Sequence, residues 1–164
     1  MRVSFVAAAA GVALAASGIA AADTPPAQKP GLWREDVTLG GHTTTIQVCL
    51  DATAEAQMSV FGSSIERKLC KLTPIVHAAD GSWSNTSTCA FRPAAQKASR
   101  AVVTGSFDSK LRVVTTSPPG GSVVTSMTLT WTGPCKPGQK GGDMILSNGA
   151  KVNLLTAGSD GAHR

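Results

Sequence analysis

Four cysteines, Cys49, Cys70, Cys89 and Cys135, constrain this chain more than any other feature. None belongs to a Cys-x-x-Cys pair, and His42, His77 and His163 show no ligand spacing, so no metal site is expected. An even cysteine count in an exported chain predicts disulfides instead. Strand register selects the pairing. Leu72, Pro74 and Val76 alternate along a strand leaving Cys70, and Trp83 begins a second alternating run that reaches Cys89. Setting Cys70 opposite Cys89 also opposes Val76 with Trp83 and leaves Ala78–Gly81 as the loop. Opposed Cα atoms lie about 4.5–5.5 Å apart, inside the disulfide range. The rival register, with Asp80-Gly81 as a tight turn, puts the cysteines on a diagonal about 7–8 Å apart, where a bridge strains. The expected frame is Cys70–Cys89 across a hairpin and Cys49–Cys135 as the long closure.

The N-terminus explains why oxidation is expected. Arg2 precedes an apolar run from Val3 to Ala16, and Ala20-Ala21-Ala22 stands before Asp23. This reads as a cleaved secretory signal peptide over residues 1–22. Residues 23–29 (DTPPAQK) read as a polar, Pro-rich linker, 30–156 as a single disulfide-stabilised β-rich domain and 157–164 as a flexible tail. No later stretch is apolar enough to span a bilayer, so no membrane span is expected after signal removal. The whole chain carries 15 Lys+Arg against 10 Asp+Glu, a net +5. The basic groups Arg67, Lys68, Lys71 and Arg92, Lys97, Arg100 have no aromatics between them and read as solvated surface. A nucleic-acid partner would need a denser stripe and is not expected.

One stretch mimics a nucleotide site. GPCKPGQKG, from Gly133 to Gly141, has two glycines in phosphate-loop spacing. A phosphate loop needs Lys directly after the second glycine and then Ser or Thr. Gln139 occupies that Lys position, and Pro134 and Pro137 remove two amide donors. The stretch reads as a turn-rich connection tied down by Cys135.

Period-two alternation dominates the rest. Val123, Thr125, Met127, Leu129 and Trp131 share one face of a strand. A meander is expected, with Leu111 opposite Met127 around a Pro118-Pro119-Gly120 turn and Val103 opposite Thr115 around Asp108-Ser109-Lys110. Gly40-Gly41 and Asn148-Gly149 read as hairpin turns. One segment departs from this pattern. Thr53 is read as a helix cap, with Met58, Phe61, Ile65 and Leu69 forming a core-facing stripe that Gly62-Ser63-Ser64 kinks or splits. The expected fold class is mainly β (α+β): a curved antiparallel sheet or partial barrel of about seven strands, with one short helix and two disulfides.

Candidate chemistry is sparse. His42 lies in a turn, His77 at a strand end and His163 in the tail, and neither G-x-S-x-G nor H-E-x-x-H occurs. Glu35 and Asp36 point to opposite faces of a strand and cannot flank one substrate bond. Glu35 shares parity with Trp33 and Val37, faces inward, and is the acid to examine for a perturbed pKa. No catalytic residue, metal or cofactor is assigned. Trp33, Trp83 and Trp131 either line a site for an apolar ligand or fill the core.

KPGLW at Lys29–Trp33, VCL at Val48–Leu50, the middle cysteines, GPC at Gly133–Cys135 and a Gly-rich run to Asp143-Met144 together resemble the domain of unknown function 3617 family, small exported bacterial proteins. Arg34 stands where that family commonly shows an acidic or other polar residue. The resemblance implies a periplasmic setting and brings no catalytic residues. The expected function is a non-enzymatic binding or envelope-maintenance module whose partner is an envelope protein or an apolar ligand. A carrier of a lipid-like ligand in a sheet–helix pocket is one alternative, and an envelope hydrolase is another.

Overall fold

Gly40 and Gly41 have φ of +56° and +84°. A two-residue hairpin turn of type I′ needs positive φ at both central residues. They join β1 (Gly31–Leu39) to β2 (His42–Leu50) in the computed structural model, which describes residues 23–92, 95–117 and 122–160. The expected signal peptide at 1–22, the expected turn at 118–120 and His163 lie outside the described residues. After β2 come the helices α1 (Ala52–Met58) and α2 (Ser64–Leu69), then β3 (Cys70–Leu72), β4 (Val76–His77), β5 (Trp83–Arg92) and β6 (Ala95–Ser106). β7 (Lys110–Ser117), β8 (Ser122–Gly133), β9 (Asp143–Ile145), β10 (Lys151–Asn153) and α3 (Leu154–Asp160) complete the chain.

All the strands join one 10-stranded antiparallel sheet, ordered β10-β9-β2-β1-β8-β7-β6-β5-β3, with β4 also on β5. The sheet does not close: β10 and β3 are its ends. It has more strands than expected because short pieces add to both ends. Both disulfides form in the expected pairing. Cys70–Cys89 spans opposed residues of β3 and β5 with Cα atoms 4.1 Å apart, and Cys49–Cys135 ties β2 to the end of β8 at 5.4 Å. No helix among the described residues is long and apolar enough to cross a membrane.

Three expected registers are corrected. Cys70 to Leu72 pair as expected, but beyond Pro74 the alignment moves by one residue, so His77 rather than Val76 opposes Trp83. Proline supplies no N–H to the ladder, and the strand resumes on a new frame. Ile75 then packs against the core, while Val76 is exposed. In the meander, Val113 rather than Thr115 opposes Val103, and Leu129 rather than Met127 opposes Leu111. Both shifts are by two residues, so every side chain keeps its expected face. The first arises because Phe107 starts the turn instead of ending the strand, with its ring 6% exposed in the core.

The helical segment is also corrected. Asp51, not Thr53, caps α1 by accepting from the Ala54 N–H at 2.8 Å. Gly62, at φ +127°, stands at the break, and Ser63 caps a separate second helix through the Glu66 N–H at 3.1 Å. The core lies between α1 and the sheet: Trp33, Val48, Leu50, Ala54, Phe61, Val103, Leu111, Val113 and Leu129. Ile65 and Leu69, expected in this core, are 54% and 60% exposed.

The residues 23–29 read as a linker lie along the fold. Asp23 N–H donates to Ile75 O, the Asp23 carboxylate accepts from His77 N–H, and Lys29 N–H donates to Phe107 O. Gln28 is 5% exposed. α3 runs across the boundary drawn between domain and tail.

Candidate functional site

Glu35 stands in a row of aliphatic side chains. Its Cα partners are Ile46 on β2 and Leu129 on β8, and Leu111 lies next along the same row. Alternation on β1 sends Trp33 and Glu35 inward and Asp36 outward. There Asp36 accepts from Arg34 at 3.0 Å and Thr45 at 2.5 Å, and these bonds hold its pKa low. Glu35 has no such partner. Burial alone drives its carboxyl up to about 7, with no hydrogen bond or opposite charge compensating.

The carboxyl lines a cavity of about 270 Å³ between the sheet and the helices. Met58, Met127, Met144, Leu50 and Leu154 supply much of the wall, with Gln28 and Glu66 as the other large polar groups. Buried Gln28 has an Nε2 with no hydrogen-bond partner. Leaving a buried donor unpaired costs about 1–3 kcal/mol. Methionine side chains adapt to ligands of different shape because they are unbranched and polarizable.

Two further spaces meet this one at Ser63, which lines all three. A groove of about 420 Å³ runs between α2 and the β5–β6 side of the sheet, past Ile65, Leu69, Ala98 and Val124. A third space of about 280 Å³ lies between α2 and Leu154-Leu155 of α3. α2 therefore stands over unfilled space. It buries none of its residues, whereas α1 buries Ala54 against the core. α2 is nevertheless held at both ends. Arg67 donates to the Gly62 and Ala56 carbonyls at its start, Asn85 Nδ2 donates to Phe61 O, and the Cys70–Cys89 bridge follows its last residue.

The tryptophans do not converge on these spaces. Trp33 is fully buried in the core, with its Nε1 donating to Lys29 O at 2.8 Å. Trp131 is half-buried beneath the Lys29 ammonium, 3.8 Å from its ring. Trp83 stacks on exposed His77 at 4.1 Å and meets Phe107 edge-on. His42 is exposed beside the Gly40-Gly41 turn. One grouping of candidate metal ligands occurs among the described residues, Glu66 with Cys70 and Cys89, but both sulfurs are consumed by the disulfide.

The GPCKPGQKG stretch and the Gly142 that follows commit amides to protein acceptors. Lys136 N–H donates to Gln139 Oε1, Gln139 N–H to Lys136 O, Lys140 N–H to Asp143 Oδ2 and Gly142 N–H to Cys49 O. A phosphate cradle needs such donors free. Asp143, the first residue of β9, is buried beside this loop, and bonds from Asn153, Lys140 and Lys151 hold its carboxyl down to about 2.

Sequence parity located Glu35 in advance. The cavity residues from α1, α2 and β9 carried no sequence signal, because their meeting depends on how the helices are laid over the sheet. A family model described as a protein of unknown function (DUF3617) matches residues 28–135, from Gln28 at the cavity wall to the closing Cys135. No curated protein and no solved structure matches the chain.

Proposed function

We propose that this chain, which belongs to the DUF3617 family of proteins of unknown function, is a non-enzymatic carrier of an apolar, lipid-like molecule. The observation that carries this reading is α2, a helix fastened at both ends that buries none of its residues and borders three spaces, all lined by Ser63. A helix kept only for packing would bury an apolar stripe, as most surface helices do. Small-molecule sites run from about 300 to 1,000 Å³ and combine apolar walls with a few polar groups. The groove, at about 420 Å³, falls within that range, and the cavity, at about 270 Å³, lies just below it and carries Glu35 and Gln28 as its polar groups.

The two disulfides suit an oxidising compartment. With the apolar run before Asp23, this supports export to the periplasm, where a carrier would shield an apolar molecule from water. His42 and His77 are exposed and line neither the groove nor the cavity, which supports a binding role for these spaces.

Titration of the disulfide-bonded protein with Nile red, a neutral apolar dye, tests the reading. Saturable fluorescence enhancement is expected, weakened at least about tenfold by Ser99→Trp, which shares the face of core residue Val103 and fills the groove, or by Met127→Trp in the cavity. Absence of saturable binding, or equal binding by correctly folded forms of both variants, would refute it. If exposed Ile65, Leu69 and Val124 instead dock an envelope protein, the dye would bind without regard to the filling substitutions.

A further inference from the structure

We propose that the ligand carried in the cavity is an apolar amine whose ammonium group pairs with the Glu35 carboxylate. The inference rests on the carrier reading and adds the chemistry of the ligand's polar end.

The charge of the wall selects that end. Among the described residues, the only ionisable side chains lining the cavity are Glu35 from β1 and Glu66 from α2. α1, β8, β9 and α3 contribute Met58, Met127, Met144 and Leu154, none of which titrates. Two cations stand outside this wall: Arg67, whose guanidinium is committed to the Gly62 and Ala56 carbonyls, and Lys97, which lines the neighbouring groove. An anionic head would meet two carboxyls and no base. Above about pH 7 a neutral head would leave an ionised Glu35 unpaired in an apolar wall. An ammonium supplies the missing charge and donors, and charge-assisted bonds are the strong ones.

Gln28 shows independently that the cavity is not merely a packing void. It is 5% exposed, and its Nε2 donor finds no partner in the fold. Nearly all buried polar groups in folded proteins are paired, so an unused donor in a cavity wall points to a missing occupant.

Protonation gives the proposal a readout that packing does not share. Burial keeps Glu35 protonated up to about pH 7, whereas an alkylamine stays cationic to about pH 10. An incoming ammonium must displace the Glu35 proton at low pH but not at high pH. Amine affinity should therefore rise between pH 5 and 8, while that of a neutral alcohol stays flat.

Displacement of bound Nile red by decylamine, decanol and decanoate decides the matter. At pH 8 decylamine should displace the dye at about tenfold lower concentration than decanol, with decanoate weakest. Glu35→Gln should bring decylamine to within about threefold of decanol and abolish its pH dependence, with Nile red still bound. Equal or better displacement by decanoate, or an amine preference that survives Glu35→Gln, would overturn the assignment and leave the carrier reading intact. Failure of the wild type to bind Nile red would end both.

Discussion

The two helices before β3 are alike in length and capping, and opposite in what they cover. α1 is capped by Asp51 and α2 by Ser63, and neither runs beyond 7 residues. Under the first turns of α1 the interior is filled, with Ala54, Phe61, Trp33 and Val48 all at most 6% exposed, and only its C-terminal residue Met58 reaches the cavity. Under α2 lie the groove and the cavity, and Ile65 and Leu69 face outward or into them. Short helices draw their stability from packing rather than propensity. α1 obtains that packing directly. α2 depends on its tethers: Arg67, the Ser63 cap and the nearby disulfide. The difference teaches that α1 belongs to the fold and α2 to the site.

The largest test of that contrast is on the α1 side. Trp33→Ala should cost about 3–5 kcal/mol in denaturant unfolding, since it empties the centre of the core. A loss below about 1 kcal/mol would mean that the core beneath α1 is not the packed one described. The two bridges come next. Removing either pair of cysteines should cost about 2–4 kcal/mol, with the Cys49–Cys135 pair at least as costly because it closes the longer loop, 86 residues apart against 19.

Glu35 gives a smaller, pH-resolved effect. Its folded pKa of about 7 lies above the ordinary 4.5, so the folded state holds its proton across that window while the unfolded chain releases it. Stability due to Glu35 is therefore present below pH 4.5 and is lost as pH rises to about 7. The loss is at most about 3 kcal/mol, reduced by any water in the cavity. Glu35→Gln should abolish this slope and be more stable than wild type at pH 8. Asp143 acts in the opposite sense, its contribution fading as pH falls from 3.8 towards 2. Urea unfolding of both proteins from pH 4 to 8 reads the difference.

The smallest expected change in stability is on α2. Ile65→Ser with Leu69→Ser should stay within about 0.5 kcal/mol of wild type, because both side chains are already exposed. Nile red affinity should nevertheless fall, since both line the groove. A stability loss like that of Trp33→Ala would erase the distinction between the helices.

What the sequence disclosed follows the same division. Local rules carried the Gly40-Gly41 turn, the Asn148-Gly149 hairpin, the face of Glu35 and the cysteine pairing, since strand parity and turn geometry act over a few residues. Phe107 defeated the meander register because a large apolar residue at a turn looks like a strand residue until its ring is seen entering the core. Pro74 displaced the register at His77 by breaking a ladder that alternation alone extends through it. The pairing of β1 with β8 joins distant parts of the chain and has no local signal. Ile65 and Leu69 were read as core because their spacing is helical, but spacing cannot show whether a helix packs or covers. The cavity was invisible for the same reason.

Hydrogen–deuterium exchange with and without saturating decylamine tests most directly whether α2 covers a ligand site while α1 belongs to the core. Amides of Ser64–Leu69 should exchange at least about tenfold more slowly with ligand bound, while those of the first turns of α1, 52–56, stay unchanged. Equal protection of both helices, or none in α2 while the amine is demonstrably bound, would contradict the account.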